Sequence, residues 1–330
     1  MRRGLEPHRL LAPIIDFRRV GLAVSGGADS LALMLLASRV SGPDFVVYTV
    51  DHGLRSEAAD EAAFVVREAG RLGIPARTLR WDGPRPRSGL QQAARQARYR
   101  LIGAAMREDG AEVLATAHHL QDQAETVLMR LAYGSGLAGL RGMDLFSEVE
   151  GVTVVRPLLG TDPAALRAVV DDAGVLPVAD PSNLDEDFER VRWRALMPQL
   201  AELGLTAERL AQFAGRARDA DRVLAMQAAI RATSPDHEGW RTPRDVLRAM
   251  PRPVAVRIIQ RALEAVGGAK RPHALGPVER LTDRLLREPV RTTLHGCLIT
   301  SDGVAIRVEP EPLTGARARR RAVLAADSAG

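Results

Sequence analysis

The sequence predicts an α/β fold: a doubly wound parallel sheet, followed by a smaller, mainly helical domain that ends in short strands. Three observations carry that expectation. Short apolar runs alternate with amphipathic, helix-length stretches through the first half of the chain. The first run, Val20-Gly21-Leu22-Ala23-Val24, passes through two adjacent glycines straight into the helix-like Leu31-Ala32-Leu33-Met34-Leu35-Leu36. Alternation weakens toward residue 204, and helical periodicity then dominates until strand-like segments close the chain. Such alternation specifies βαβ units, whose parallel strands need helices over their faces. The expected domains are residues 1–204 and 205–330.

Each element has its own reason. Phe45-Val46-Val47-Tyr48-Thr49-Val50 is a continuous apolar, β-branched run and reads as a buried strand. Glu57 to Leu72 has helical periodicity, Ala76 to Leu79 is a short strand, and Gln91 to Met106 is a helix. Val113 to Ala117 is the fourth strand, and a helix runs from about Gln121 to Tyr133. After Gly134-Ser135-Gly136 the pattern loosens into a last strand at Val152 to Val155, a helix at Pro163 to Asp172, and a turn-rich loop at Ala179-Asp180-Pro181-Ser182-Asn183. Thr206 is placed to cap a long amphipathic helix ending at Arg231, expected to link the two domains. Two or three helices follow to about Arg287. Val290 to Leu294, Leu298 to Thr300 and Val304 to Val308 then form a small antiparallel unit, and Ala316 to Arg321 begins a basic tail expected to be mobile. There is no internal repeat.

Composition bounds the function. No run approaches the roughly 20 apolar residues of a membrane span, and the N-terminal stretch reaches Pro13 and Asp16 without a signal-peptide core. The expectation is a cytoplasmic protein. A single cysteine, Cys297, excludes an intrachain disulfide and any cysteine-built iron–sulfur or zinc site from this chain alone; it reads as a small buried hydrophobe in a strand. The net charge of +5 is unevenly spread: residues 1–189 carry 21 Arg against 26 acids, a net of −5, whereas residues 190–330 carry 24 Arg and one Lys against 15 acids, a net of +10. A basic second half suits a polyanionic partner, and the arginine fork suits phosphate.

Ser25-Gly26-Gly27-Ala28-Asp29-Ser30 is the sharpest local signal. Two glycines let the backbone turn and bring N–H groups close to an anion, and the following helix adds its unpaired N–H groups. The hydroxyls of Ser25 and Ser30 can donate to phosphate oxygens. Asp29 would repel phosphate unless a divalent cation stood between them, which makes it a candidate Mg²⁺ residue. No GxxxxGK[ST] occurs and the single lysine is Lys270, so this is not a Walker P-loop. The loop resembles the pyrophosphate loop of ATP pyrophosphatases. Loops after the second and fourth strands, with Asp51-His52-Gly53 and His118-His119, should converge on the same nucleotide.

The second constellation is His118-His119-Leu120-Gln121-Asp122-Gln123-Ala124-Glu125-Thr126. Asp122 and Glu125, three apart on a helix, share one face. Two acids beside a phosphate site need a cation, either a metal or an amine; adjacent histidines without a third Cys or His make a poor zinc site, so one of them fits proton transfer or phosphate orientation better.

Seven segments together are specific: Ser25 to Ser30, Asp51 to Arg55, Gln92 to Arg100, His118 to Thr126, Gly134 to Leu140, Arg156-Pro157-Leu158-Leu159, and Asp180 to Asn183. They resemble, in order, the successive blocks of the tRNA(Ile)-lysidine synthetase family, and Leu294 to Ile299 resembles a strand of its first C-terminal domain. The family's longer members have a second such domain, so the resemblance implies a short form. Gln121 stands where the family often has another acid, and Ala179 where an acid often precedes the Asp-Pro pair. The resemblance implies an adenine nucleotide alpha hydrolase-like fold and ATP with Mg²⁺ as cofactors. It implies transfer of AMP to the wobble cytidine of tRNA(Ile) with a CAU anticodon, then displacement of AMP by the amine of free L-lysine. Ser25, Gly26, Gly27, Ala28, Asp29, Ser30, Asp51 and His52 would bind ATP. Asp29, Asp122, Glu125 and His119 would be catalytic, with Asp122 and Glu125 taking the lysine amine and Asp29 the metal. Arg98, Arg190, Arg192 and Arg194 would meet tRNA. A homodimer is possible on this reading. The competing readings are another pyrophosphate-loop enzyme that modifies tRNA or forms amides, and a non-catalytic nucleotide-binding module.

Overall fold

The computed structural model describes residues 5–53, 57–83, 86, 89–178, 189–231, 239–268 and 275–312. Leu54 and Arg55 of the second block, the loop Ala179 to Asn183, and the basic stretch Ala316 to Arg321 lie outside the described residues. The chain divides into two compact units, Met1–Gly134 with Gly139–Gly215 and Ser135–Ala138 with Arg216–Gly330.

In the first unit, α1 (Pro7–Leu10) precedes β1 (Arg19–Ala23), α2 (Ala28–Ala37), β2 (Asp44–Asp51), α3 (Ala58–Arg71), β3 (Ala76–Arg80), α4 (Leu90–Asp109), β4 (Val113–Ala115) and α5 (Leu120–Ala132). A single turn α6 (Leu137–Leu140) leads to β5 (Phe146–Val149), β6 (Val152–Val155), α7 (Pro163–Asp172), α8 (Glu189–Glu202) and α9 (Ala207–Arg231). The strands form one sheet in the order β3-β2-β1-β4-β6-β5. Its first five members run parallel, and β5 is antiparallel to β6.

Alternate residues of each strand feed opposite faces. Val20, Leu22, Val47, Ala115 and Val155 pack with Leu31 and Leu33 of α2, Val65 of α3 and Leu166 of α7. Val46, Tyr48, Leu114 and Val154 face Tyr99, Ile102 and Met106 of α4. Position 21 alternates onto this second face and is a glycine there, since a Cβ would stand 2.7 Å from the Tyr48 ring. Tyr48 needs the space: its hydroxyl donates to Asp109 at 2.9 Å from within the core.

The sequence reading has no strand at Phe146–Val149. The structure adds β5 through a two-residue turn in which Glu150 and Gly151 both have positive φ, 50° and 76°, the conformation of a tight hairpin turn. Glutamate in place of the usual asparagine or aspartate hides that turn from a sequence reading. Thr206 caps α9 as expected, its Oγ1 accepting from the Arg209 N–H at 3.3 Å.

In the second unit, the later part of α9 is followed by β7 (Trp240–Pro243), α10 (Arg244–Arg248), α11 (Arg252–Gly267), α12 (Leu275–Arg287), β8 (Val290–Leu294), β9 (Cys297–Ser301) and β10 (Ala305–Pro310). The strands form an antiparallel sheet in the order β7-β10-β9-β8; β7 joins the three strands expected from sequence. Ile258, Ile259, Leu263, Leu281 and Leu285 pack on Ile299, Ile306 and Val308. Cys297 is buried and free.

Candidate active site

The strand order reverses between β1 and β4, and ligands of open α/β sheets bind in the crevice at the carboxyl ends of strands at such a point. The glycine loop leaves β1 there, and His118-His119 leaves β4. Gly26 has φ +87°, and Gly27 is the extended N-cap of α2 without a side-chain cap. The first intrahelical bond runs from Leu31 N–H to Gly27 O at 3.0 Å, so the Ala28, Asp29 and Ser30 N–H groups belong to the open first turn. Ser30 Oγ donates to Gly27 O at 2.9 Å and accepts from Ser25 N–H at 3.2 Å, which ties the loop across its own mouth.

His119 connects this loop to the second constellation. Its Nε2 lies 3.5 Å from Asp29 Oδ2 and 3.5 Å from Asp122 Oδ2. The backbone N–H of His119 donates to Asp122 Oδ2 at 3.0 Å, closing the start of α5. Burial of the imidazole pulls its pKa down, but the hydrogen bond to Asp29 and the charges of Asp122, Asp29 and Glu125 outweigh that and raise it above the ordinary value. Burial pushes Asp122 up, yet His119 and Arg190 beside it hold its carboxyl below the usual range. His118 behaves oppositely: burial takes it down to about 4, and its Nδ1 lies 2.8 Å from Thr116 Oγ1.

Glu125 has no solvent exposure and receives two guanidinium groups from α8, Arg190 Nε at 2.8 Å and Arg194 Nε at 2.9 Å. Arg190 Nη2 also reaches Asp122 Oδ1 at 3.1 Å. Asp122 and Glu125 thus share one face, as their spacing requires, and α8 supplies the cation they need. Arg190 and Arg194, expected to meet tRNA, turn onto these acids because a buried carboxylate without a counter-charge is costly. Arg192 is exposed on the same helix.

A third group gathers after β2. Asp51 Oδ1 accepts from Gly53 N–H at 2.8 Å and fixes the turn. Arg98 Nη2 sits 3.2 Å from His52 Nε2, and the His52 ring stands edge-on to Trp81 at 6.2 Å. Burial and then the neighbouring Arg98 charge lower His52 to about 4. Sequence reasoning passed over Gln123, whose side-chain amide pairs reciprocally with the Met143 backbone at 3.0 and 2.6 Å. A buried polar residue inside an acid-rich helix start was the available signal. Among the described residues, no group of three or more His, Cys, Asp or Glu side chains could hold a metal ion.

Residues 6–200 match the family model described as a PP-loop domain. Over 337 aligned residues the chain is 42% identical to a tRNA(Ile)-lysidine synthase of Bradyrhizobium sp. (strain BTAi1), covering 93% of this chain and 94% of that protein. It is 47% identical to a tRNA(Ile)-lysidine synthase of Methylobacterium nodulans, covering 89% of this chain and 90% of that one. Among solved structures, the U34-tRNA thiolase NcsA from Methanococcus maripaludis with its 4Fe–4S cluster superposes at a TM-score of 0.55 with 15% identity, covering 64% of this chain and 77% of that chain; this likeness concerns the fold.

Proposed function

The chain belongs to the tRNA(Ile)-lysidine synthase family of PP-loop proteins, and on that premise we propose that it ligates free L-lysine to the wobble cytidine of a tRNA(Ile) with a CAU anticodon, at the expense of ATP. The cytidine carbonyl oxygen attacks the α-phosphorus of ATP and pyrophosphate leaves. The lysine ε-amine then attacks C2, a proton departs from the nitrogen, and AMP leaves with the former carbonyl oxygen. One observation carries this reading: His119 bridges the carboxylates Asp29 and Asp122, so the glycine loop and the acidic helix start form one site.

The open N–H groups of Ala28, Asp29 and Ser30, with the hydroxyls of Ser25 and Ser30, suit the leaving pyrophosphate. Mg²⁺, when bound, would neutralise that charge. Asp29 fits it, since Mg²⁺ at such sites takes one or two carboxylates plus substrate phosphates rather than a full protein cage. The amine step is harder. With a pKa near 10.4, about one lysine in a few thousand is neutral at pH 7, a cost on the order of 4–5 kcal/mol. Carboxylates alone would hold the ammonium form. His119, with its Nε2 3.5 Å from both Asp29 and Asp122 and its pKa raised by them, is the group suited to exchange that proton. Asp122 is the acid for the amine to reach; Glu125, fully buried, orients Arg190 and Arg194.

No helix among the described residues is long and apolar enough to cross a membrane. A cytoplasmic location and a homodimer remain part of this proposal, as does the assignment of the basic second half to tRNA. A cluster-dependent thiolase activity is disfavoured because one cysteine cannot ligate such a cluster. The deciding assay combines the protein, ATP, Mg²⁺, labelled lysine and CAU-anticodon tRNA(Ile). Label should enter tRNA in step with AMP release; no tRNA-dependent incorporation would refute the reading, and a non-catalytic module would give the same blank.

A further inference from the structure

His118 is the titratable group at the crevice that the reaction above does not use. It follows β4, beside the point where the strand order reverses, and precedes His119, whose Nε2 lies 3.5 Å from both Asp29 and Asp122. Its Nδ1 lies 2.8 Å from Oγ1 of Thr116, a buried side chain directly after β4. That hydroxyl has one proton, and its geometry toward the Val155 carbonyl, 3.4 Å away, is that of a donor. With the proton there, Oγ1 accepts from Nδ1–H and both contacts are hydrogen bonds; given instead to Nδ1, it leaves the Val155 contact as oxygen against oxygen. The first arrangement makes Nε2 a bare lone pair. Nε2 has no hydrogen-bond partner among the described residues and the ring is partly exposed, whereas His119 is 5% exposed with its Nδ1 buried without a partner. The carboxylates of the site are engaged: Glu125 with Arg190 and Arg194, Asp122 with Arg190 and the His119 N–H, Asp51 with the Gly53 N–H. Burial lowers the His118 pKa to about 4, so the ring is uncharged at neutral pH and far too weak a base to deprotonate an alkylammonium. It offers an uncharged acceptor to an N–H donor.

We propose that His118 Nε2 accepts a hydrogen bond from the exocyclic amine of the target cytidine, with Thr116 as the positioning residue that fixes the tautomer. The inference rests on the lysidine reading above and names the edge of the base that the site reads. Cytidine carries a donor at N4, where uridine carries a carbonyl oxygen. A uridine would set lone pair against lone pair, so the same contact excludes it. The contact also strengthens during the reaction. When cytidine O2 bonds to the α-phosphorus and pyrophosphate leaves, no proton is lost, and the ring becomes a cation shared between N3 and N4. The N4–H bond is then more polarised, and an uncharged acceptor gains more from it in the transition state than before. A protonated imidazole would repel that charge instead. Two other amines enter the same reaction. The lysine ammonium needs a charged acceptor or a base, which Asp122 and His119 supply. Adenine N6 is separated from the α-phosphorus by the ribose, whereas the cytidine bonds to that phosphorus directly and must bring C2 to the amine at Asp122.

The test uses the full chain and CAU-anticodon tRNA(Ile) whose wobble base is either cytidine or 2-pyrimidinone, which keeps O2 and N3 and lacks the amine. Single-turnover AMP transfer to the tRNA is measured without lysine for the wild type, His118→Ala, His118→Gln and Thr116→Val. The wild type should favour cytidine about 10–100-fold more strongly than His118→Ala does, the scale of one hydrogen bond to a charged group. Intrinsic reactivity of the two bases cancels in that comparison. His118→Gln, which can present an amide oxygen, should recover part of the preference, and Thr116→Val should lower it although the imidazole stays. Nitrogen-15 spectra of the wild type should show Nδ1–H and a bare Nε2. Equal discrimination by the wild type and His118→Ala would overturn the proposal, as would an Nε2–H tautomer. A preference that follows ATP against purine riboside triphosphate would assign the acceptor to adenine, and a defect confined to the lysine step would assign it to lysine; either overturns the proposal. Should His118→Ala fail to fold, the tautomer and Thr116→Val decide. Absence of any AMP transfer to cytidine by the wild type would instead remove the lysidine reading, and this inference with it.

Discussion

At the scale of single residues, the candidate site holds its imidazoles in opposite states. His118 and His52 titrate near 4, while His119 is raised. The consequences for stability have opposite signs. An imidazole whose folded pKa lies below its ordinary 6.5 is protonated first in the unfolded chain, so His118 and His52 cost stability as pH falls from about 6.5 to about 4. His119 contributes stability that is full below 6.5 and lost as pH rises through its raised value. Asp122 contributes above its ordinary 3.8 and loses this as pH falls through its lowered value. Ring-proton NMR across pH 3–9 should find two imidazoles titrating near 4 and one above 6.5. Urea midpoints should drop between pH 6.5 and pH 4; His52, His118 and His119, assigned by substitution among the seven histidines, titrating together near 6.5 would contradict this account.

At the scale of elements, α5 and α8 are joined by two carboxylates, Asp122 and Glu125, and two guanidiniums, with Leu128, Trp193, Met197 and Leu210 packed beneath. Glu125→Ala should cost about 3–5 kcal/mol, the scale for stripping one partner from a buried ion pair. Hydrogen exchange should show the loss concentrated in α5 and α8, and protection unchanged there would contradict it. The same elements show what a single sequence discloses. The glycine loop, the βαβ order and the shared face of Asp122 and Glu125 were legible because they depend on residues within a few positions of one another. The partners of Glu125 were not, since Arg190 lies 65 residues away and nothing in local spacing reports such a pairing. β5 and β7 escaped because each is short and carries two polar residues, Ser147 and Glu148 or Arg241 and Thr242, where the equally short β6 is an apolar, β-branched run.

At the scale of the whole molecule, charge is the property that distinguishes the two parts of the chain. In the second unit Arg261, Arg280 and Arg291 are exposed cations. Replacing all three with glutamine should flatten the salt dependence of tRNA binding by about 0.7–0.9 for each phosphate that they neutralise. An unchanged slope would rule these residues out of the tRNA interface. The buried Glu125 also sets a timetable. Its two counter-ions are synthesised 65 and 69 residues later, a lag of roughly 3–14 seconds at usual elongation rates of about 5–20 residues per second. During that interval the first strands and helices can collapse around a carboxyl group that has nothing to neutralise it. The nascent domain therefore cannot close its catalytic crevice from the front end alone, and the ribosome must deliver α8 before Glu125 can be sealed inside as an anion.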